Sequence, residues 1–166
     1  MLSYAETYRE VPELTRVLLI SDTHGNLEPA RKIIETVKPD YILHLGDMQR
    51  DAKKLKAEYP DYTLDYVPGN CDMVTGPGCA AITAIDGCRI LYTHGHEHRV
   101  KMSLMRLRLA ALEAQVQIAA FGHTHRAYCE QIDGLWLVNP GSAQMYANYA
   151  LIEIEAGTAT CSLHTL

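Results

Sequence analysis

What this chain of 166 residues lacks narrows its function at the outset. It has no apolar run approaching the ~20 residues that span a bilayer, and no basic-then-apolar opening of the kind that directs secretion. We therefore expect a soluble, cytoplasmic protein with no membrane partner. It has no excess of basic charge: 15 Lys and Arg stand against 20 Asp and Glu, a formal net charge of -5. No general field draws in a phosphate backbone, and basic and aromatic residues do not interleave, so long nucleic acid is not an expected partner. The cysteines, Cys71, Cys79, Cys88, Cys129 and Cys161, are odd in number and show no C-x-x-C spacing. That speaks against a disulfide framework or a zinc ribbon and for reduced thiols. Linkers, low-complexity segments and internal repeats are missing as well. We expect residues 16–166 to form one domain behind an N-terminal extension, residues 1–15, of mixed tyrosine and charge.

What is present is a succession of apolar runs that each stop at a polar residue. Val17-Leu18-Leu19-Ile20, bounded by Arg16 and Ser21, has the pattern of a strand buried on both faces, and Asp22-Thr23-His24-Gly25-Asn26 follows it. Asn26 is placed to cap a helix running to Val37, with Pro29 in its first turn and Ala30, Ile33 and Ile34 at helical spacing. Tyr41 to Leu45 reads as a second strand, ending in Gly46-Asp47. Asp51 to Tyr59 reads as a helix, and Thr63 to Val67 as a third strand leading into Asn70-Cys71-Asp72. This alternation is that of parallel βαβ units.

The pattern then changes. Ala80 to Ile85 and Cys88 to Tyr92 form a hairpin about Asp86-Gly87, and its second strand leads into Thr93-His94-Gly95-His96. Ser103 opens a helix to Gln115 whose apolar face is Leu104, Leu107, Ala111 and Leu112. Ile118 to Phe121 ends in Gly122-His123-Thr124-His125. Two hairpins close the chain, Tyr128–Ile132 with Leu135–Val138 and Tyr149–Ile154 with Thr158–Leu163, and the turn Asn139-Pro140-Gly141-Ser142 lies between them. His44, between two leucines, reads as a packing or surface residue, and Met102, Met105 and Leu109 as core or subunit contacts.

Five strands thus end in Asp22 and His24, in Asp47, in Asn70, in His94, and in His123 and His125. Two carboxylates, an amide and four imidazoles are oxygen and nitrogen donors that suit Mn2+, Zn2+, Fe2+ or Ni2+. In order and content these motifs, D-x-H, G-D, G-N-C, H and G-H-x-H, resemble those of the calcineurin-like metallophosphoesterases. The chain length, and a cysteine after the motif asparagine, resemble the small YfcE-like phosphodiesterase branch. The resemblance runs from about Arg16 to the C-terminus.

The resemblance implies an α/β fold: two mixed β-sheets packed as a sandwich with helices on the outer faces. It implies two divalent metal ions, Mn2+ first among them, with Asp47 bridging. Asp22, His24 and His125 complete one shell, and Asn70, His94 and His123 the other. A bridging carboxylate can hold two cations about 3.5 to 4 Å apart, which suits phosphoryl displacement. The implied reaction is hydrolysis of a small phosphodiester by a metal-bridged hydroxide, without a covalent phosphoenzyme. Asp47 and Asn70 are the catalytic residues it carries over, with His96 and Cys71 as candidates beside them. Cys71 stands where the wider superfamily has a histidine that assists the leaving group, so we expect a preference for diesters whose leaving groups depart unprotonated. His96 is the alternative proton donor or phosphate contact. Relatives that pair lead us to expect a homodimer or tetramer. The rival reading is a non-catalytic scaffold: the retromer subunit that resembles this family lacks a key site histidine and acts through its surfaces, whereas this chain keeps every motif ligand.

Overall fold

The computed structural model describes residues 13–73 and 78–166. What was expected of the first twelve residues lies outside them. The first half alternates as its sequence pattern predicts: β1 (Thr15–Ile20), α1 (Glu28–Val37), β2 (Tyr41–His44), α2 (Gln49–Glu58) and β3 (Thr63–Tyr66), then a 3-10 turn at Asn70–Asp72. The second half has β4 (Ala80–Ile85), β5 (Cys88–Thr93), α3 (Met105–Glu113), β6 (Ile118–Phe121), β7 (Tyr128–Ile132), β8 (Leu135–Asn139), α4 (Ala143–Tyr146), β9 (Asn148–Glu155) and β10 (Thr158–Thr165).

The strands form two five-stranded sheets, ordered β10-β9-β1-β2-β3 and β4-β5-β6-β8-β7. Both are mixed. In the first, β1, β2 and β3 run parallel while β9 pairs antiparallel with β1. In the second, β5, β6 and β8 run parallel, with β4 and β7 antiparallel at the edges.

Alternation along β1 shows how the layers stack, since successive side chains leave opposite faces of a strand. Val17 and Leu19 join Ile90, Tyr92, Ile118, Ala120 and Val138 in a core between the sheets. Leu18 and Ile20 face the other way, onto Ile33 and Ile34 of α1 and Leu55 of α2. Leu107 and Ala111 of α3 cover the outer face of the second sheet through Ala119, Phe121 and Leu137. The expected sandwich with outer helices is therefore the observed fold.

Three local expectations are corrected. Leu27 occupies the N-cap of α1, with Asn26 one residue further out, where its Oδ1 accepts a hydrogen bond from the Glu28 N–H at 3.3 Å. Of the two places expected for Met102, Met105 and Leu109, core or subunit contact, the core is excluded: they are 83%, 55% and 57% exposed, and Leu112 also points outward. The short α4, capped by Ser142 accepting from the Met145 N–H, follows a segment read as a plain turn. Among the described residues no helix is long and apolar enough to cross a membrane.

Candidate metal centre

The parallel strands of both sheets end on the same side, and the loops leaving them bring the motif residues together. Asp22 follows β1, Asp47 follows β2, Asn70 follows β3, His94 follows β5, and His123 and His125 follow β6. Asp22 and His94 are fully buried and Asp47 nearly so. Ligating atoms of Asp22, His24, Asp47 and His125 lie within 4.8 Å of one another. Asp22 Oδ1 is 3.1 Å from His125 Nε2 and 3.6 Å from His24 Nε2. The two imidazole nitrogens are 3.3 Å apart, and His24 Nε2 is 3.6 Å from Asp47 Oδ2. Asp47 turns its other oxygen to a second group: Oδ1 lies 3.4 Å from His94 Nε2, which is 3.1 Å from Asn70 Oδ1. The His123 ring stands edge-on to His94 with centroids 5.0 Å apart.

The protons in this cluster do not suffice to hold it together. His94 Nδ1 is 2.9 Å from the Leu45 carbonyl oxygen, an acceptor only, so Nδ1 carries the proton. In the neutral ring Nε2 is then a bare lone pair, and it faces two further acceptors, Asn70 Oδ1 and Asp47 Oδ1. In the other group Asp22 Oδ1 is buried and accepts no hydrogen bond. Converging lone pairs without a shared proton are costly when buried, and a cation between them resolves the cost. Burial opposes ionisation of Asp47, but His94, two hydrogen bonds from Cys71 and His24 outweigh it and hold the carboxyl below its ordinary range. Burial, with His94 and Lys101 nearby, lowers His123 to about 4. Ionised carboxylate and neutral imidazole are the forms that ligate divalent ions. The residues present fit such ions.

The backbone is shaped to aim these side chains. Asp22, His24, Asp47, His123 and His125 have φ of 55°, 43°, 57°, 66° and 58°, all left-handed. Gly69 passes so close to Asp47 that a Cβ there would lie 2.0 Å from Oδ1. Gly122 packs equally tightly on Ser21 Oγ, which in turn donates to Asp22 Oδ2 at 2.6 Å.

Several further residues brace these loops, and of them Asp51 and His44 escaped the sequence reading. Asp51 Oδ2 accepts from Thr23 Oγ1 at 2.8 Å and from the Gly25 N–H at 2.7 Å, clasping the loop that carries His24. The buried His44 ring reaches the same Thr23 hydroxyl at 3.2 Å, and burial lowers its pKa to about 4. Ser142 donates to the Asp22 carbonyl at 3.1 Å, and Asn139 donates to the Gly122 carbonyl at 2.9 Å. The turn Asn139-Pro140-Gly141-Ser142 is thus a clamp between two ligand loops. An acidic residue in the first turn of α2 and a polar turn after β8 were the available signals.

Of the two further candidates, Cys71 touches the cluster and His96 borders it. Cys71 donates from its N–H to Asp47 Oδ1 at 3.1 Å and from Sγ to Oδ2 at 3.5 Å. Desolvation and the facing Asp47 carboxylate push the thiol up. His96 lies with its ring centroid 5.5 Å from that of His94 and 6.1 Å from that of His123, and both of its ring nitrogens are buried without a hydrogen-bond partner.

A two-sheet sandwich with carboxylate, amide and imidazole donors converging at its strand ends defines the metallophosphoesterase class. The chain belongs to the calcineurin-like phosphoesterase superfamily, whose domain it matches over residues 15–157. It is 31% identical over 151 residues to the probable metallophosphoesterase YsnB of Bacillus subtilis, covering 87% of each chain. It is 24% identical to phosphodiesterase MJ0936 of Methanocaldococcus jannaschii, covering 79% of this chain and 86% of that one. Among solved structures, a predicted phosphoesterase from Streptococcus pneumoniae superposes with a TM-score of 0.77 at 23% identity, covering 92% of this chain and 90% of that one. Vacuolar protein sorting 29 from Cryptosporidium parvum gives 0.72 at 18% identity, covering 95% and 99%. At such identities the likeness is one of fold.

Proposed function

We propose that this chain is a metal-dependent phosphodiesterase acting on small phosphodiesters at a dinuclear centre. The observation that carries the reading is the posture of Asp47, whose two oxygens face two separate groups of potential ligands, His24 on one side and His94 on the other. Asp22, His24 and His125 would hold one ion with Asp47, and Asn70, His94 and His123 the other. Ions bound there supply charge to neutralise phosphate oxygens and lower the pKa of a water nucleophile.

The protein's own part is orientation and proton management. The Leu45 carbonyl keeps His94 in the tautomer whose Nε2 is free, and Cys71 steadies both oxygens of Asp47, Oδ1 through its N–H and Oδ2 through its thiol. Cys71 spends its thiol proton on Asp47, and the nitrogens of His96 are shielded, so neither is poised to protonate a departing alkoxide. Esters with good leaving groups are the substrates this arrangement favours. The relative named as a phosphodiesterase supports the diester class.

The test compares bis(p-nitrophenyl) phosphate with p-nitrophenyl phosphate, on protein stripped by chelator and reloaded with Mn2+, Zn2+, Fe2+ or Ni2+. We expect faster cleavage of the diester, strict metal dependence, Mn2+ the most effective, and a loss of about 100-fold or more in Asp47→Ala. A folded protein that cleaves neither ester with any of these ions overturns the reading in favour of a surface scaffold of the same fold.

A further inference from the structure

A cavity of about 580 Å3 lies beside the ligand loops. Its wall is made by two segments, 100–104 and 121–128. The first is tied to the His94-Gly95-His96 turn by the Val100 N–H, which donates to the Gly95 carbonyl at 3.3 Å. The second contains His123 and His125. Val100 and Phe121 are buried, Leu104 and Tyr128 are partly covered, and Lys101 and Arg126 are exposed. The site therefore has an apolar base, two aromatic rings 6.3 Å apart and two cations at its margin. Phe121, Thr124 and Arg126 of the lining alternate along the loop with His123 and His125, which places this margin close to the centre. Among the described residues neither Lys101 nor Arg126 enters a salt bridge.

Such a volume falls in the range of about 300 to 1,000 Å3 typical of small-molecule sites, and an apolar lining with a few placed charges is their usual composition. The chain carries a net charge of -5, which repels anionic ligands, so an unpaired pair of cations beside an apolar hollow marks where an anion would be received. We propose that this cavity seats one ester arm of the phosphodiester substrate, an aromatic arm bearing its own anionic group, with the ring on the apolar base and the anion at Lys101 and Arg126. The inference rests on the phosphodiesterase reading and adds to it a substrate class: nucleotide-like diesters in preference to aliphatic ones.

Adenosine 5′-monophosphate, adenosine and inorganic phosphate titrated calorimetrically into the chelator-stripped full chain test this without any turnover. Adenosine 5′-monophosphate is expected to bind about tenfold more tightly than either fragment, since ring and anion are both needed. Ala127→Trp, which fills the hollow from an exposed position, and Lys101→Gln are each expected to weaken it about fivefold or more. In the Mn2+-loaded protein Ala127→Trp should raise KM for bis(p-nitrophenyl) phosphate, whose arms are aromatic but uncharged, while Lys101→Gln should not, and Mn2+ binding by calorimetry is weakened in neither. Binding of the mononucleotide no tighter than phosphate, or indifferent to both substitutions, overturns the cavity's role and leaves the proposed function standing if the diester is still cleaved. Mononucleotide binding that follows the substitutions in a protein without hydrolysis overturns the phosphodiesterase reading, and with it the cavity as a substrate subsite.

Discussion

Five ligand positions hold left-handed backbone, and none is glycine. Each costs about 1 to 2 kcal/mol relative to an ordinary conformation, so the surrounding contacts must over-determine them. Gly69 is where that constraint is tightest, with Asp47 Oδ1 at 2.0 Å and Asp47 N at 2.3 Å from a notional Cβ. Gly69→Ala must displace Asp47 backbone, and we expect Mn2+ affinity to fall about 10-fold or more by calorimetry, with the fold retained by circular dichroism. His44 makes a different prediction. Burial lowers its pKa from 6.5 to about 4, so the unfolded chain binds its proton more readily than the folded one. Its contribution is fully present above pH 6.5 and is lost as pH falls towards 4, amounting to about 3 kcal/mol. Urea midpoints measured between pH 7 and pH 4 should therefore fall less steeply in His44→Gln than in the wild type. A wild-type slope retained in the variant assigns the acid sensitivity to other groups. His44 and Thr23 were legible as residues of a strand and a loop, but their bond joins positions 21 apart, which no local pattern encodes.

At the scale of elements, what periodicity can express was readable and what depends on coverage was not. Strands β1 to β3 and their helices follow from apolar runs punctuated by Pro39, Pro60 and Pro68, and the ligands follow because each sits just past a run. The outer residues of α3 show the limit. Met105, Leu109 and Leu112 recur at helical spacing, yet the second sheet covers only the side bearing Leu107 and Ala111. Spacing identifies faces; packing decides which one is covered. Helix α4 is four residues long, shorter than any period can reveal. Asp51 joins two elements, because its carboxylate at the start of α2 receives both Thr23 and Gly25 of the β1–α1 loop. Asp51→Ala removes two hydrogen bonds to a carboxylate and leaves the buried Thr23 hydroxyl without that acceptor. We expect a loss of about 2 to 3 kcal/mol in urea unfolding, and weaker Mn2+ binding through the loosened His24. Unchanged metal affinity in a destabilised variant would confine Asp51 to the fold alone.

Across the whole molecule the centre is a seam. Asp22, His24, Asp47 and Asn70 come from strands of the first sheet, and His94, His123 and His125 from strands of the second. The apolar core between the sheets joins them along their length, whereas at the ligand edge a few hydrogen bonds, such as His94 Nδ1–H to the Leu45 carbonyl and the His123 N–H to Asp22 Oδ2, lie beside donors whose lone pairs oppose one another. Ions bound there would act as cross-links between the sheets, and anything that binds the folded state alone raises its stability by mass action, about 2.7 kcal/mol at a concentration 100 times its dissociation constant. For a chain of this size each kcal/mol shifts Tm by about 2 to 4 °C. Mn2+ added to chelator-stripped protein at that excess should therefore raise Tm by about 5 to 10 °C. In Asp47→Ala, which faces both groups, most of that gain should vanish, although the Tm without metal falls little or even rises, since one buried charge is gone. Equal shifts in the two proteins would mean that the ion sits elsewhere and that packing and hydrogen bonds close the seam without it.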